Sequence, residues 1–467
     1  LTLTLRERNH FSKAFANVRA PAMIDDDADT NVDASASAII WNRVPATTYA
    51  QNAVDFLMGE LEEGEDRKRA RRKADRERMA TTLGALALEL YVAHRSPGNS
   101  FRRYSRAKDE YEKKDRYHAF PVTHTSVTTA ADWLLAEGYA EGRLGHYQRF
   151  PGFGENVGSG EQSRIGASRK LVSLLEDDFE LTIHHVGFAA WIETVILREG
   201  AEERGGIKRD TEYKDTAETH AMRSNLERIN EKLADFRITL QALDGSLEDL
   251  PPFRLRRIFN RGSFELGGRF YGGPWMDMPS EQRPNLLIDG EETVELDFSS
   301  LHPRLIYQLE RKPLPAEQDA YTVPEWTGKE RRGWVKTAFQ QLLNAGPDMK
   351  LYKPREIVSD ELAKGGWKRL LRDTERAHSE IAGWFRSGRG LELQKIDSDI
   401  AEAVLLTMLD QGICCLSIHD SFIVPRSHEH DLRNAMERGY HEVLAGRGDA
   451  HHAPIIHARR SPSSFIN

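Results

Sequence analysis

Two aspartates lie within apolar segments: Asp297 lies at the end of one apolar run, and Asp420 lies in the middle of another. Asp297 ends a β-type segment in which Val294 and Leu296 alternate, and a helix with a proline in its first turn follows. Asp420 lies in GICCLSIHDSFIVP, which predicts a hairpin with the carboxylate at its tip. A carboxylate between apolar segments needs a compensating charge, and for two facing carboxylates this is commonly a divalent metal. The pair therefore predicts a site for two Mg²⁺ ions, with Mn²⁺ as a possible substitute.

A cationic helix is expected between the two aspartates. Arg332 and Lys336 are four residues apart, so a helix places them on one face, in line with Gln340 and Asn344. Two cations on one face suit a triphosphate. The segment Lys329–Arg372 has eleven basic and five acidic residues, whereas the whole chain has a net charge of −8. A cationic segment in an acidic protein predicts a polyanionic substrate.

Four short motifs in this order resemble the catalytic domain of the family A DNA polymerases and of the related bacteriophage-type single-subunit RNA polymerases. DFSSLHPR resembles motif A, the helix with Arg332 and Lys336 resembles motif B, and IHDSF at 418–422 resembles motif C in a form nearer the RNA polymerases. GGRFYGG at 267–273 is similar to a glycine-arginine-aromatic-tyrosine element of the RNA polymerase group. QKIDSDIAEAV resembles the helix that leads into motif C, and the whole resemblance covers residues 254–425.

This resemblance implies a polymerase palm, which is an antiparallel sheet, with helical fingers. It implies that Asp297 and Asp420 are the metal ligands and that His419 lies beside the primer terminus. Further side chains would bind the incoming nucleotide, namely Arg332, Lys336, Gln340 and His302. Others would contact nucleic acid, namely Arg269, Tyr271 and Gln394.

The chain also departs from the family pattern. Asn344 and Ala345 replace a tyrosine and a glycine near the end of motif B, and Gln340 replaces a phenylalanine or methionine. His302 stands where the family A DNA polymerases have the glutamate that excludes a 2′-hydroxyl, so we expect it to help read the sugar. Only 35 residues separate the aspartate of motif A from the arginine of motif B, which is too few for a large fingers insertion. The spacing favours a reduced, primase-like or replication polymerase of a mobile element or phage.

The upstream sequence predicts a separate DNA-binding domain. TTLGALALELYVAH at 81–94 is apolar enough for a buried helix, and the spacing of apolar residues predicts a second helix before a glycine stop. A basic connection precedes this second helix, and a short basic strand, SRIGASRKLV at 163–172, comes after it. The pattern resembles a winged helix-turn-helix with Thr123–Glu137 as the recognition helix. A structural or protein-contact helical domain is the alternative.

The expected fold class is α+β, and the chain divides into four parts. We expect a polar and charged N-terminal extension over residues 1–80 and the winged-helix-like domain over 81–180. A helical connecting or thumb-like region follows over 181–255, and the palm and fingers occupy 256–467.

Composition excludes several classes of protein. With 467 residues, 30% of them charged and 39% hydrophobic, the chain is neither a collagen-like rod, a disulfide miniprotein nor a histone-like basic protein. Its two cysteines, Cys414 and Cys415, are adjacent, which fits neither a disulfide framework nor a zinc site. No apolar run approaches the ~18 residues that span a bilayer, and the first residues lack the apolar stretch of a secretory signal. We therefore expect a cytoplasmic protein, in a bacterium or the host of a phage or mobile element, that does not bind membranes.

These observations predict a template-directed nucleotidyltransferase with Mg²⁺ as cofactor, a DNA template and nucleoside triphosphates as substrates, and an accessory replication protein as a possible partner. Two alternatives stay open. One is a non-catalytic DNA-binding replication initiator with a degenerate palm. The other is a template-independent nucleotidyltransferase.

Overall fold

The computed structural model divides the chain into two compact units. None of the helices in its described part combines the length and the apolar character needed to cross a membrane. The described residues are 37–39, 41–67, 69–96, 100–112, 116–117, 122–145, 147–149, 158–189, 193–200, 209–242, 244–355, 357–445 and 454–459.

Unit 1 comprises Leu1–Ile192 and Leu250–Pro252, and its described part combines helices with short strands. Its α-helices are α1 (Thr48–Gly64), α2 (Lys73–Arg95), α3 (Asp109–Glu112), α4 (His124–Ala136) and α5 (Arg169–Ser173). Its strands are β1 (Ser37–Ala38), β2 (Arg43–Pro45), β3 (Arg102–Tyr104), β4 (Ala140–Arg143), β5 (Tyr147–Arg149), β6 (Gly158–Gly160), β7 (Ser163–Ala167) and β8 (Val186–Phe188). A π-helical turn (Leu174–Asp178) and a 3₁₀ turn (Ile183–His185) follow α5.

A four-stranded sheet and the helices α2 and α4 form the centre of unit 1. The strands lie in the order β1-β3-β7-β4, with β7 antiparallel to both β3 and β4. The apolar residues of α2 and α4 belong to one buried cluster, and Thr123 caps the first turn of α4. The helices expected at 81–94 and 123–137 are therefore confirmed. The strand expected at 163–172 is confirmed only over β7, because Ser168 caps a new helix there.

Unit 2 comprises Glu193–Asp249 and Phe253–Asn467. Its α-helices are α6 (Ala217–Ala234), α7 (Pro274–Asp277), α8 (Leu301–Leu309), α9 (Lys329–Asn344), α10 (Gly366–Ala377), α11 (Gly390–Asp410) and α12 (Glu429–Leu444). Its strands are β9 (Val195–Leu197), β10 (Ile238–Gln241), β11 (Leu247–Asp249), β12 (Arg256–Asn260), β13 (Ser263–Tyr271), β14 (Leu286–Ile288), β15 (Glu291–Phe298), β16 (Leu416–Ile418), β17 (Ser421–Pro425) and β18 (Ile456–Arg459). Short 3₁₀ turns lie at Arg283–Asn285, Ser379–Trp384 and Arg426–His428.

A seven-stranded antiparallel sheet dominates unit 2. Its strands lie in the order β11-β10-β14-β15-β17-β16, and β18 pairs with the second half of β15. A second sheet has the order β13-β12-β9. The long helix α11 packs on β13 and on α12. The protein is therefore a mixed α+β structure with antiparallel sheets, in agreement with the expected fold class.

The segment 181–255 differs from the expected helical region, and that expectation is wrong for most of its length. Its described part has one long helix, α6, which buries Leu226, Ile229 and Leu233 on one face as the periodicity predicts. The other regular elements of this described part are the 3₁₀ turn at Ile183–His185 and the short strands β8 to β11. Strands β9 and β10 are rich in β-branched and aliphatic residues, and β12 and β14 supply their hydrogen-bonding partners.

The charged N-terminal part also contains more packed structure than a polar extension would. Helix α1 buries apolar residues such as Leu57 and Leu61 in the core of unit 1, and α2 runs through the expected boundary between residues 80 and 81. The charged run itself ends α1 and begins α2. The first 36 residues of the expected extension lie outside the described ranges.

A buried charge cluster joins three elements of unit 1. Glu89 of α2 is 1% exposed and accepts hydrogen bonds from Arg43 of β2 at 2.9 Å and from Arg102 of β3 at 3.0 Å. Arg43 also donates to the carbonyl oxygen of Pro252 at 2.8 Å. Because Glu89 sits among apolar residues of α2, its charge is tolerated only while both arginines hold it.

We predict that Glu89→Ala lowers the free energy of unfolding by about 3–5 kcal/mol, because it leaves two arginines without their buried partner. Chemical denaturation of the purified protein measures this loss. The control is Glu62→Ala, which removes a solvated partner of Arg76 and should change stability far less. Equal effects of the two substitutions would contradict the prediction.

Candidate active site

The two predicted aspartates lie at the same end of neighbouring strands. Asp297 is the penultimate residue of β15 and pairs with Ser421, the first residue of β17. Asp420 immediately precedes Ser421, and its carbonyl oxygen accepts a hydrogen bond from the amide of Phe298 at 3.2 Å. Both aspartates are half-buried. The predicted arrangement of strand, aspartate and helix is confirmed, and so is the hairpin with Asp420 at its tip.

The alternation of side chains along β15 explains why Asp297 is only half-buried although its neighbours are buried. Leu296 and Phe298 are buried on one face of the strand, and Phe298 packs against the ring of Phe422. Asp297 points to the opposite face because successive side chains alternate along a strand. Between β16 and β17 the chain turns within two residues, and His419 adopts a positive φ of 57° to do so. This tight turn brings Asp420 next to the end of β15.

A buried carboxylate that the motif comparison did not single out lies beside this pair. Asp397 of α11 has a side chain that is 0% exposed, and it contacts two of the predicted site residues. Arg269 of β13 donates to it from Nε at 3.1 Å and from Nη2 at 2.5 Å. His302, the second residue of α8, places Nε2 at 2.7 Å from Oδ2 of Asp397. Three separate elements therefore meet at one carboxylate.

The glycines before Arg269 allow this contact. Gly268 interrupts the pairing between β12 and β13, because Ile258 pairs with Arg269 and Phe259 pairs with Gly267. Gly268 has a φ of +82°, and a Cβ there would lie 2.6 Å from the ring of Phe259. Such a bulge turns the following side chain, and here that side chain is the arginine that meets Asp397.

A second buried network holds the same helix to the same strands. Arg257 of β12 is fully buried and donates to the carbonyl oxygen of Gly268 at 2.7 Å. Its other nitrogens donate to Asp399 at 2.9 Å and to Glu402 at 2.8 Å, both on α11. The polar face of α11 is therefore paired with β12 and β13 over more than one turn.

The charges in this cluster shift the pKa values of several groups. Burial alone would raise the pKa of Asp397, but His302 and the Arg269 guanidinium hold it below its usual range. Burial lowers the pKa of Arg269, and the charges of Asp397 and Asp420 outweigh that effect and raise it. Burial, and then the charge of Arg269, lower the pKa of His419. The carboxylate of Asp420 therefore lies within electrostatic range of Arg269.

Helix α9 places the predicted phosphate-binding cations on one exposed face. Arg332 forms an ion pair with Asp319 at 2.9 Å, and its guanidinium lies 5.3 Å from the ring centroid of Tyr321. Burial is the main cause of a raised pKa of Tyr321, which a hydrogen bond with Gln340 opposes and the charge of Asp420 increases. Tyr321 therefore lies within electrostatic range of both Arg332 and Asp420.

Not every predicted residue joins this cluster in the same way. Lys336 is exposed and makes no ion pair within the described part of the chain. Tyr271 packs edge-on against the ring of His419, at 5.9 Å between centroids. Gln394 is half-buried on α11, one turn before Asp397. His419 Nδ1 is buried and has no hydrogen-bond partner among the described residues.

The sequence offered a signal for Asp397 that the motif comparison passed over. Asp397 follows Ile396 and precedes Ile400 in the apolar stripe of a helix, a position where an unpaired charge would be costly. This position in the apolar stripe does not predict which residue pairs with Asp397, because Arg269 is 128 residues away in the chain. Tyr321 has no comparable signal, since it lies in a loop.

The donor set at the strand ends is compatible with a magnesium site. Among the described residues no three His, Cys, Asp or Glu side chains form a group that could hold a metal ion. Magnesium is commonly held by one or two carboxylates and completes its coordination with water and substrate phosphate oxygens. Asp297 and Asp420 supply two such carboxylates, so the residues present fit Mg²⁺ when it binds together with a phosphate substrate.

No model of a known protein family matches this chain, and no curated protein matches its sequence. The resemblance to polymerases therefore depends on the motif residues.

We predict that the stabilising effect of Asp397 depends on pH. Because its pKa is lowered in the folded protein, its ion pairs stabilise the fold above the ordinary carboxyl pKa of 3.8 and lose that effect as the pH falls through the lowered value. Asp397→Asn should lower the free energy of unfolding by about 3–5 kcal/mol at pH 7. The difference from the unsubstituted protein should shrink below pH 4.

Chemical denaturation between pH 7 and pH 2 measures both quantities. The matched control is Asp410→Asn at the other end of α11, where Asp410 pairs with Arg228 at the surface. A loss of stability at Asp397 that stayed constant over this pH range would contradict the prediction.

Proposed function

We propose that the protein is a template-directed nucleotidyltransferase that joins nucleotides by two-metal catalysis. The observation that carries the proposal is the placement of Asp297 and Asp420 at the same end of two paired strands, with Arg269 within electrostatic range of Asp420. Paired carboxylates that can bind magnesium, next to cations that can bind phosphate, are the elements that phosphoryl transfer needs.

In this proposal the seven-stranded antiparallel sheet of unit 2 is a polymerase palm, and α9 with the cationic segment after it forms short fingers. Asp297 and Asp420 would hold two Mg²⁺ ions. The chemistry that Mg²⁺ supplies in such a site is activation of the attacking hydroxyl and neutralisation of charge on the leaving pyrophosphate. The two aspartates would keep the positive charge of these ions at the strand ends, where the reacting groups are positioned.

The cations of α9 bind the triphosphate. Lys336 is exposed and unpaired within the described part of the chain, so its ammonium group is available to a phosphate oxygen. Arg332 is paired with Asp319 and would exchange this carboxylate for a phosphate oxygen when the nucleotide binds. The contact of Arg332 with Asp319 and its contact with phosphate are both charge-assisted hydrogen bonds. The exchange therefore replaces one strong contact by another.

The cluster around Asp397 faces the sugar and the nucleic acid. Asp397 acts as a positioning residue, because it orients Arg269 toward template or product and His302 toward the nucleotide sugar. Tyr271, against His419, supports the primer terminus. Gln394 contacts nucleic acid from the helix that carries Asp397. His302 therefore reads the sugar from a ring orientation that a buried carboxylate fixes.

Unit 1 is proposed to be a winged helix that binds duplex DNA. The order β3-β7-β4, with α4 preceding β4 in the chain and the β5–β6 hairpin between β4 and β7, agrees with that architecture. On α4 the threonines of the N-terminal half are exposed or half-exposed, whereas Ser126, Val127 and Ala130 are buried. Recognition helices present their N-terminal residues to base edges. The threonines in the N-terminal half of α4 form a face that could make such contacts.

The primary experiment is incorporation on a defined template. The purified protein is incubated with single-stranded DNA of known sequence and Mg²⁺, with labelled NTPs or dNTPs offered separately and with or without a primer. We expect a product whose sequence follows the template. Product that ignores the template would indicate a template-independent transferase. DNA binding without any product would indicate an initiator.

We predict that Asp297→Ala and Asp420→Ala each reduce incorporation to below about one hundredth of the rate of the unsubstituted protein, since each removes one of two metal ligands. Binding of template DNA should change little. The control is Glu437→Ala, which removes an exposed carboxylate from α12. Activity retained in either aspartate variant would exclude the two-metal assignment.

We predict that Thr125→Glu weakens binding to duplex DNA by about tenfold at fixed salt, because it places a negative charge near the phosphates. Thr125 is exposed in the first turn of α4. A glutamate there interacts favourably with the helix dipole, so the substitution should not destabilise the fold. Ala136→Glu, at the exposed C-terminal end of α4, is the matched control and should bind nearly as well as the unsubstituted protein. Equal affinity of all three proteins would assign unit 1 another role.

A further inference from the structure

A pocket with an exposed aromatic side chain lies where α9 ends and the following loop folds back. It has a volume of about 220 Å³, and its lining includes Gln341, Asn344, Met349, Lys350 and Tyr352. Tyr352 is 62% exposed and Met349 is 40% exposed, although both are large hydrophobic residues. The pocket is smaller than the 300–1,000 Å³ that is usual for a drug-sized ligand, so it suits a single ring system.

The backbone under the exposed tyrosine is held in place. Gln341 donates from Nε2 to the carbonyl oxygen of Tyr352 at 3.0 Å, and Trp367 donates to Oε1 of the same glutamine at 3.3 Å. Arg386 donates to the carbonyl oxygen of Met349 at 3.4 Å. The ring of Tyr352 therefore projects from an anchored loop, so that less conformational entropy is lost when a planar group stacks on it.

The charge around the pocket is positive. Lys350 lines the pocket and is exposed, and Arg355 is exposed three residues beyond Tyr352. Neither forms an ion pair with another described residue. On α9, Lys336 and Asn344 lie on one face, so the cationic face leads along the helix to the pocket. Asp348 is the one acidic residue between 346 and 355.

We propose that this pocket binds a base of single-stranded nucleic acid, with Tyr352 as the stacking surface and Lys350 and Arg355 as contacts to the flanking phosphates. An exposed aromatic ring among unpaired cations is the combination that binds single strands without reading their sequence. A protein partner would match the apolar side chains but not the surplus of cations. The site goes beyond the proposed function and does not rest on it.

The first test measures the affinity of the full chain for a labelled single-stranded oligonucleotide and for a blunt duplex, at one fixed salt concentration. We expect Tyr352→Ala to raise the Kd for the single strand about tenfold, and Tyr352→Phe to leave it nearly unchanged, because the ring is retained. The Kd for duplex DNA should stay the same. Tyr49→Ala, which removes an exposed tyrosine from unit 1, is the matched control.

The second test locates the base directly. An oligonucleotide containing 5-iodouracil is irradiated with the bound protein, and the crosslinked peptide is identified by mass spectrometry. We expect the crosslink at Tyr352 and its loss in Tyr352→Ala. Lys350→Gln should reduce the slope of log Kd against log salt concentration by about 0.7, the value for one phosphate contact on a single strand.

Neither measurement requires catalysis, so the site can be judged separately from the polymerase proposal. Asp420→Ala should bind the single strand as the unsubstituted protein does and should give the same crosslink. A single-strand Kd that Tyr352→Ala does not change, with crosslinks only elsewhere, would overturn the proposal and leave the loop to a protein partner. Loss of single-strand and duplex binding together in Tyr352→Ala would also overturn it, because that pattern indicates a general defect.

Discussion

The arrangement of unit 2 depends on the neutralisation of one buried charge, the carboxylate of Asp397. A carboxylate without solvent is costly unless positive groups and hydrogen bonds surround it. Here Arg269 and His302 supply them from β13 and α8, and α11 carries Asp397 itself. The cost of leaving that charge unpaired keeps three elements together, and these are the elements that surround the ends of β15 and β17.

The same requirement links the candidate site to the fold. Helix α11 leads directly into the hairpin that carries Asp420, and β15 leads directly into the helix that carries His302. When Asp397 binds Arg269 and His302, it therefore fixes the position of the segments next to both candidate metal ligands. The bulge at Gly268 and the network of Arg257 serve this arrangement, since both bring β13 against α11. Positioning of this kind matters in phosphoryl transfer, where the protein contributes mainly geometry and charge.

The two units answer different physical requirements. Unit 1 buries the charge of Glu89 in an otherwise apolar helix cluster and compensates it with two arginines. Unit 2 keeps cations exposed along α9 and the loop after it. Arg331 and Arg332 are paired with Glu361 and Asp319, whereas Lys336, Lys350 and Arg355 have no ion-pair partner among the described residues. Exposed cations without such a partner favour a polyanionic ligand, and the anchored ring of Tyr352 adds a surface for a base. These features are the ones on which the proposal of nucleic-acid binding rests.

The sequence by itself determined the local elements around the motifs. The alternation of apolar residues predicted β15, and Pro303 indicated the first turn of α8, the helix that follows β15. The spacing of Arg332 and Lys336 placed both on one face of α9. It also determined the α+β class, because these patterns are local and depend on residues within one or two turns. The pairing of Asp397 with Arg269 and His302, the strands within 181–255 and the contact of Gln341 with Tyr352 were decided only by the tertiary structure. Each depends on a partner that is distant in the chain or lies in a loop without periodicity, and no pattern of neighbouring residues specifies which distant group will neutralise a charge or pair with a strand.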